Sequence, residues 1–262
     1  MTRGSPRPRR GLRVAGLTLA AGVLGAGVLG AGLASCALSI GGLQHHTSSY
    51  TIGSHVTTLV VSDQAGDVHI TGGSSDTTSV TEHISFHGTA PTTMHRTATS
   101  TLTLSSHCPG AETCTVGYTI TTPRTTTVRV TDGAGSVSVG SLGGLVTVHV
   151  NAGRISLSSL AGPVNATSNA GSIHGQSLSP TSASLHVSAG EIAVTFSEPA
   201  SAITATTDVG AISVRVPNTV QYDVTTRTTV GSVHVSVARS AAATRTITAS
   251  TKTGSITIEP AA

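Results

Sequence analysis

Eight short stretches of the chain carry one alternation: a glycine, a polar or small residue, a branched aliphatic, another polar or small residue and, nearly always, a second aliphatic. They open at Gly66, Gly135, Gly153, Gly171, Gly190, Gly210, Gly231 and Gly254. Two and four residues beyond the glycine stand Val68/Ile70, Val137/Val139, Ile155/Leu157, Ile173/Gly175, Ile192/Val194, Ile212/Val214, Val233/Val235 and Ile256/Ile258. The positions between them are Asp67/His69, Ser136/Ser138, Arg154/Ser156 and similar pairs. A period of two puts successive side chains on opposite faces of a β-strand, so each unit predicts a strand with one aliphatic and one solvent-facing side.

A second strand in the same phase precedes each glycine. Seven, five and three residues back lie Val146/Val148/Val150, Val164/Ala166/Ser168, Ala183/Leu185/Val187, Ile203/Ala205/Thr207, Val224/Thr226/Thr228 and Ile247/Ala249/Thr251. From Gly135 the glycines step by 18, 18, 19, 20, 21 and 23 residues, and a near-constant period marks a stacked repeat. Two strands per repeat, joined at a glycine corner, predict an all-β, single-domain β-solenoid built from parallel β-helix-like coils. An antiparallel sandwich with hairpins of the same period would show similar alternation. Residues 131–262 carry the regular coils. Residues 56–130 read as a less regular, hairpin-containing cap, with alternating runs at Ser79 to His87, His95 to Ser105 and Thr115 to Thr121.

Composition fits a thin core. Aromatic residues make up 2% of the chain and tryptophan is absent, so stacked Val, Ile, Ala and Thr must fill the interior.

Residues 1–35 read as a lipoprotein signal peptide or membrane anchor. Arg3, Arg7, Arg9, Arg10 and Arg13 precede an uncharged apolar run, which ends at Leu33-Ala34-Ser35-Cys36, a lipobox pattern that makes Cys36 the lipidation candidate. The same run is long enough to remain as an uncleaved N-terminal helix. Residues 36–55, with Gly41-Gly42 and a Ser/Thr/His-rich continuation, read as a flexible tether.

The leader holds five of the 14 basic residues and none of the 11 acids, leaving nine against eleven, a formal −2, for residues 36–262. No nucleic-acid partner is implied by that balance. Cys108 and Cys114 flank a turn between two alternating segments, and in an exported chain a disulfide is the favoured pairing.

The leader with Cys36, the Cys108-Pro109 to Cys114 loop, the Tyr118-Thr119-Ile120-Thr121-Thr122-Pro123 strand end and the Gly-x-Val/Ile-x-Val units together resemble bacterial β-strand-repeat surface proteins labelled candidate adhesins, a family of undefined biochemical role. The likeness spans roughly residues 50 to 260. It implies an exported β-repeat domain and brings no catalytic residue with it. Only Asp67 keeps the aspartate that such repeats often carry after the glycine.

Reactive groups are dispersed by the same regularity. Glu191 has Ser172 and Ala211 as row neighbours, and Asp132, Asp208 and Asp223 fall at different phases, so no carboxylate pair of the kind used on polysaccharides is predicted. His83 and His87, four apart on a strand, would stand ~13 Å from each other, too far to share an ion. His69, His174 and His234 share a row without being neighbours, and His149 and His186 are separated by one coil. No catalytic, cofactor-binding or metal residue is assigned, and no cofactor is expected. The 12 histidines would still turn a slightly anionic surface cationic in acid.

The expectation is therefore a non-catalytic, membrane-anchored scaffold on the extracytoplasmic face of the cell membrane. Its partners would be the membrane, through lipid or helix, and a cell-envelope polymer or surface protein. Two alternatives are a polysaccharide-active β-helix enzyme and a Thr-rich ice- or surface-binding array, the latter prompted by Thr147, Thr167, Thr204 and Thr206.

Overall fold

The corner glycines do two jobs that no other residue can. Gly171 and Gly190 take φ of +146° and +140°, a region that strains any L-residue. A methyl group on Gly190 would also stand 2.8 Å from the carbonyl carbon of Gly171 and overlap its oxygen. The same approach recurs along the whole row of corners, so the coils stack as closely as backbones allow.

In this computed structural model the described residues are 38–40, 42–53, 55–110 and 113–261. The leader and Cys36 lie outside them.

Each coil is a pair of strand segments hinged at its glycine, paired in parallel and in register with the coils on either side. Thr127–Gly140, Val146–Ser158, Val164–Leu178 and Ser182–Phe196 run through their corners unbroken. Gly135, Gly153, Gly171 and Gly190 lie directly opposite one another in these ladders. Parallel pairing between successive coils rules out the sandwich. The inner phase is buried as the alternation predicts, with Val146, Val148, Val150, Ile155 and Leu157 of one coil each at most 2% exposed. Each such side chain contributes about 1.5–3 kcal/mol through burial. At the opposite turn, Ser141, Ser159 and Ser177 adopt left-handed φ of 58°, 51° and 52° in three successive coils. Leu142, Leu160, Leu178 and Phe196 close the core beside that turn.

Coil order departs from sequence order at both ends. Ala202–Val209 and Ile212–Val216 pair with Thr246–Thr253 and Ile256–Pro260, which then pair with Asp223–Val230 and Val233–Val235. The Gly254 coil is thus inserted between those of Gly210 and Gly231. The reason lies in the inner rows. Ile247, Ala249, Ile256 and Ile258 suit a place buried between two coils, whereas Thr226 and Thr228 make a poor interior, and Val233 of the end coil is 43% exposed.

At the other end, Thr58–Asp63 and Val68–Gly73 form a regular coil against Thr127–Gly140. Thr101–His107 and Cys114–Pro123 stack on its outer side. The part read as less regular and hairpin-containing, residues 56–130, thus opens with a regular coil and holds its hairpin at Thr92–Ala98 and Thr101–His107. Antiparallel strands finish this end: Thr78–His87 on Cys114–Pro123, Leu43–Ile52 on Thr78–His87, and Thr92–Ala98 on Thr101–His107. The tether expected over residues 36–55 is corrected accordingly, since Leu43–Ile52 is a full strand and Leu38–Ile40 pairs back onto it. Its polar side chains face solvent while its backbone completes the ladder, and Tyr50 and Ile52 pack against the core.

Candidate functional site

Row geometry decides which chemical groups meet. The position three residues before each corner glycine points inward, and at most coils it is Val, Ser or Thr. At the first two regular coils it is Asp63 and Asp132, which pair directly in the parallel ladder. They are 5% and 0% exposed. Ser106 continues the row on the outermost coil, its neighbour Ser105 being paired with Ser62. Ser106 donates its hydroxyl hydrogen bond to Asp63 Oδ1, and the Gln64 N–H donates to the same oxygen at 3.0 Å. Tyr118 enters from the facing strand, opposite Val68, and is 1% exposed. Beside it, Glu82 is 4% exposed and accepts the Tyr50 hydroxyl at 2.7 Å.

Four oxygen atoms in this group have no hydrogen-bond partner: Asp63 Oδ2, both carboxylate oxygens of Asp132, and the Tyr118 hydroxyl. No Lys, Arg or His acts on Asp63, Asp132 or Tyr118. Burial accordingly pushes the Asp132 carboxyl up to about 6, and the charges of Asp63 and Asp67 push it the same way. The N–H groups of Ala134 and Gly133 lean toward it and pull back without forming a well-aligned bond. Burial also raises Asp63, against the pull of Ser106, Gln64 and Ala65. Tyr118 is raised by burial and then by the charges of Glu82 and Asp63, against a pull from the Ser106 hydroxyl.

Outside this corner lies an open cleft of about 500 Å3. Glycine makes it: Gly66, Gly117 and Gly135 line it without side chains, leaving Asp67, His69, His83 and Thr115 around them. Asp67 Oδ1 accepts the Ser136 N–H at 2.9 Å, tying the cleft to the next coil.

The other sequence candidates stay apart. Glu191 sits opposite Ser172, and the next coil presents Ala211 beside it. Asp208 pairs with Lys252 at 3.0 Å on the surface. His149 and His186 flank Thr167, one coil from each. Among the described residues no three His, Cys, Asp or Glu side chains converge on one point. Cys108 and Cys114 are joined in a disulfide. The threonine face is continuous over Thr204, Thr248 and Thr225, but the adjoining row reads His186, Thr206, Ser250, Arg227.

Sequence reading missed Asp63, Ser106 and Tyr118. The signal for Asp63 was present, because it precedes Gly66 by the same three residues that separate Asp132 from Gly135.

Several solved structures are similar. A candidate adhesin from Bacteroides fragilis NCTC 9343 is 17% identical over 82% of this chain and 97% of that chain, with a TM-score of 0.50. A candidate cell adhesion protein from Clostridium sporogenes ATCC 15579 is 12% identical over 82% of this chain and 100% of that chain, with a TM-score of 0.39. A candidate adhesin from Parabacteroides merdae ATCC 43184 is 14% identical over 82% and 96% of the two chains, with a TM-score of 0.34. At these identities the likeness bears on fold alone, and only the first score is high enough to carry that weight. No curated protein matches the sequence. The Toastrack DUF4097 model matches residues 42–259, most of the chain and every coil in it, and the protein belongs to that family.

Proposed function

We propose that this protein is a non-catalytic scaffold held at the extracytoplasmic face of the cell membrane, where its in-register coils present Ser, Thr and His rows to a cell-envelope polymer or surface protein. One observation carries the reading: stacking disperses the reactive side chains of the outer rows, so the surface offers repetition rather than a convergent catalytic set. The carboxylates that do meet, Asp63 and Asp132, are buried inside the corner and out of reach of a polysaccharide chain. That argues against the enzyme alternative. Interruption of the threonine face by His186 and Arg227 argues against an ice-binding array. The adhesin label of the Bacteroides fragilis structure favours surface binding. Anchoring rests on the lipobox at Cys36.

Two measurements on the full chain test this reading. Labelled palmitate should enter the wild type and not Cys36→Ala, with the variant shed into the medium; retention of the variant in the membrane would assign the anchor to an uncut helix instead. The detergent-purified chain should sediment with isolated envelope polymer, more strongly at about pH 5 than at about pH 8 if the histidine rows contribute charge. Absence of sedimentation at either pH, together with turnover of any envelope polysaccharide, would overturn the scaffold reading.

A further inference from the structure

Buried carboxylates without a counter-charge are expensive, and proteins resolve the cost by pairing, protonation or a bound cation. Pairing is absent here. Asp63 and Asp132 face each other across one ladder step, deep in the core, with no basic group acting on either. A second and independent feature points to a ligand: the Tyr118 hydroxyl, from the opposite strand and 1% exposed, makes no well-aligned hydrogen bond at the same corner, its one polar neighbour Ser106 being committed as a donor to Asp63. The geometry points to a buried hard-cation site, with calcium as its occupant, formed by Asp63 Oδ2, the Asp132 carboxylate and the Tyr118 hydroxyl at the Gly66/Gly135 corner.

The donor set is all oxygen, with no thiolate or imidazole among these groups, which suits calcium rather than zinc or copper. Two carboxylates neutralise a divalent ion. Calcium's remaining positions are ones it commonly gives to water.

The barrier between these acids and solvent is backbone alone. A Cβ on Gly66 would lie 3.1 Å from Asp63 Oδ2, and one on Gly135 would lie 3.3 Å from Asp132 Oδ2, so both carboxylates lean toward the corner. Those two glycines also line the outer cleft, where Asp67 adds a third negative charge that acts on both buried acids. A hydrated cation drawn to Asp67 is thus separated from the inner acids only by a corner that carries no side chains.

Other lone buried hydroxyls do not imitate this arrangement. Ser168 and Thr207 also lack partners, but Ser168 lies between Val150 and Val187 in its row, and both are neutral. Neither supplies charge to hold an ion.

The full-length chain in detergent provides the test. Millimolar calcium should raise the melting temperature of the wild type, EGTA should reverse the rise, and magnesium should do much less. Terbium bound at the site should luminesce on tyrosine excitation, calcium should quench that emission by displacement, and Tyr118→Phe should remove most of it. Asp132→Asn, nearly isosteric, should weaken apparent calcium affinity at least about tenfold, the loss that removal of even an outer-shell partner brings at metal sites. A wild type whose melting temperature ignores calcium, with terbium emission unchanged in Asp132→Asn, would overturn the site and leave a shared proton as the occupant of the pair.

Discussion

Replacing Gly171 by alanine tests the stacking geometry most directly. Its φ of +146° strains an alanine by about 1–3 kcal/mol. The new methyl group would also sit 2.8 Å from the Gly153 carbonyl carbon, closer still to its oxygen, and 3.1 Å from the Gly153 nitrogen. Since those atoms are backbone on both sides, relief requires the coils to part locally, at a cost of one or two ladder hydrogen bonds of about 1 kcal/mol each. A total near 2–5 kcal/mol would lower the melting temperature by about 4–20 °C for a domain of this size. Two controls separate the contributions. Gly110, with φ of +92° and nothing within 4 Å of its added Cβ, should show backbone strain alone as Gly110→Ala. Gly53→Ala, also with nothing within 4 Å, should be close to neutral. Thermal unfolding followed by far-UV circular dichroism reads all three. If Gly171→Ala melts with the wild type, the coils are not packed backbone against backbone and the corner argument fails.

The inserted coil predicts unequal costs for equivalent positions: Ile256→Ala should destabilise by about 2–5 kcal/mol, while Val233→Ala, two residues past its own corner glycine but 43% exposed, should cost under about 1 kcal/mol. Equal costs in urea unfolding would restore sequential coil order. Asp132 sets a pH dependence in EGTA. Its folded pKa of about 6 lies above the ordinary 3.8, so its stabilising contribution is full below pH 3.8 and is lost as pH rises through 6. The loss should be of order 2–3 kcal/mol by neutral pH, from about 1.4 kcal/mol per pKa unit, and Asp132→Asn should abolish it; superimposable pH profiles for wild type and variant would contradict the burial argument. Reducing the Cys108–Cys114 disulfide, which closes a loop of sequence separation 6, should cost about 2 kcal/mol and raise hydrogen exchange chiefly in Thr101–His107 and Cys114–Pro123.

Parity alone made the interior legible in every coil that has a neighbour on both sides. From Val146 to Leu157, every residue assigned inward is buried, because a period of two leaves no freedom once one face must leave water. The order of the coils was not legible in the same way. Any coil in the right phase can pair with any other, so register does not identify a neighbour. Only the content of the inner rows does, and Thr226 and Thr228 already marked their coil as one that tolerates an open side. The strand Leu43–Ile52 escaped notice for a related reason: an edge strand needs few apolar side chains when backbone pairing supplies the contact. The buried acid pair was half visible. Asp132 was noticed and set aside as out of phase with other acids, yet counting back from Gly66 reaches Asp63 at the same step. Ser106 and Tyr118 belong to an outer coil with no corner glycine of its own, so no count from a glycine could have placed them.

Threading of the Gly254 coil between two earlier ones has a consequence for biogenesis. A chain that zips up coil by coil as it emerges would reach the Gly210 coil and then find that residues 223–235 have no partner to settle on, because their ladder lies on a segment further along. That stretch must wait, solvated, until Thr246–Pro260 docks first and offers its free side. Maturation at this end is therefore out of translation order, and Val224, Val230 and Val233 stay accessible to proteases or chaperones until the later residues arrive.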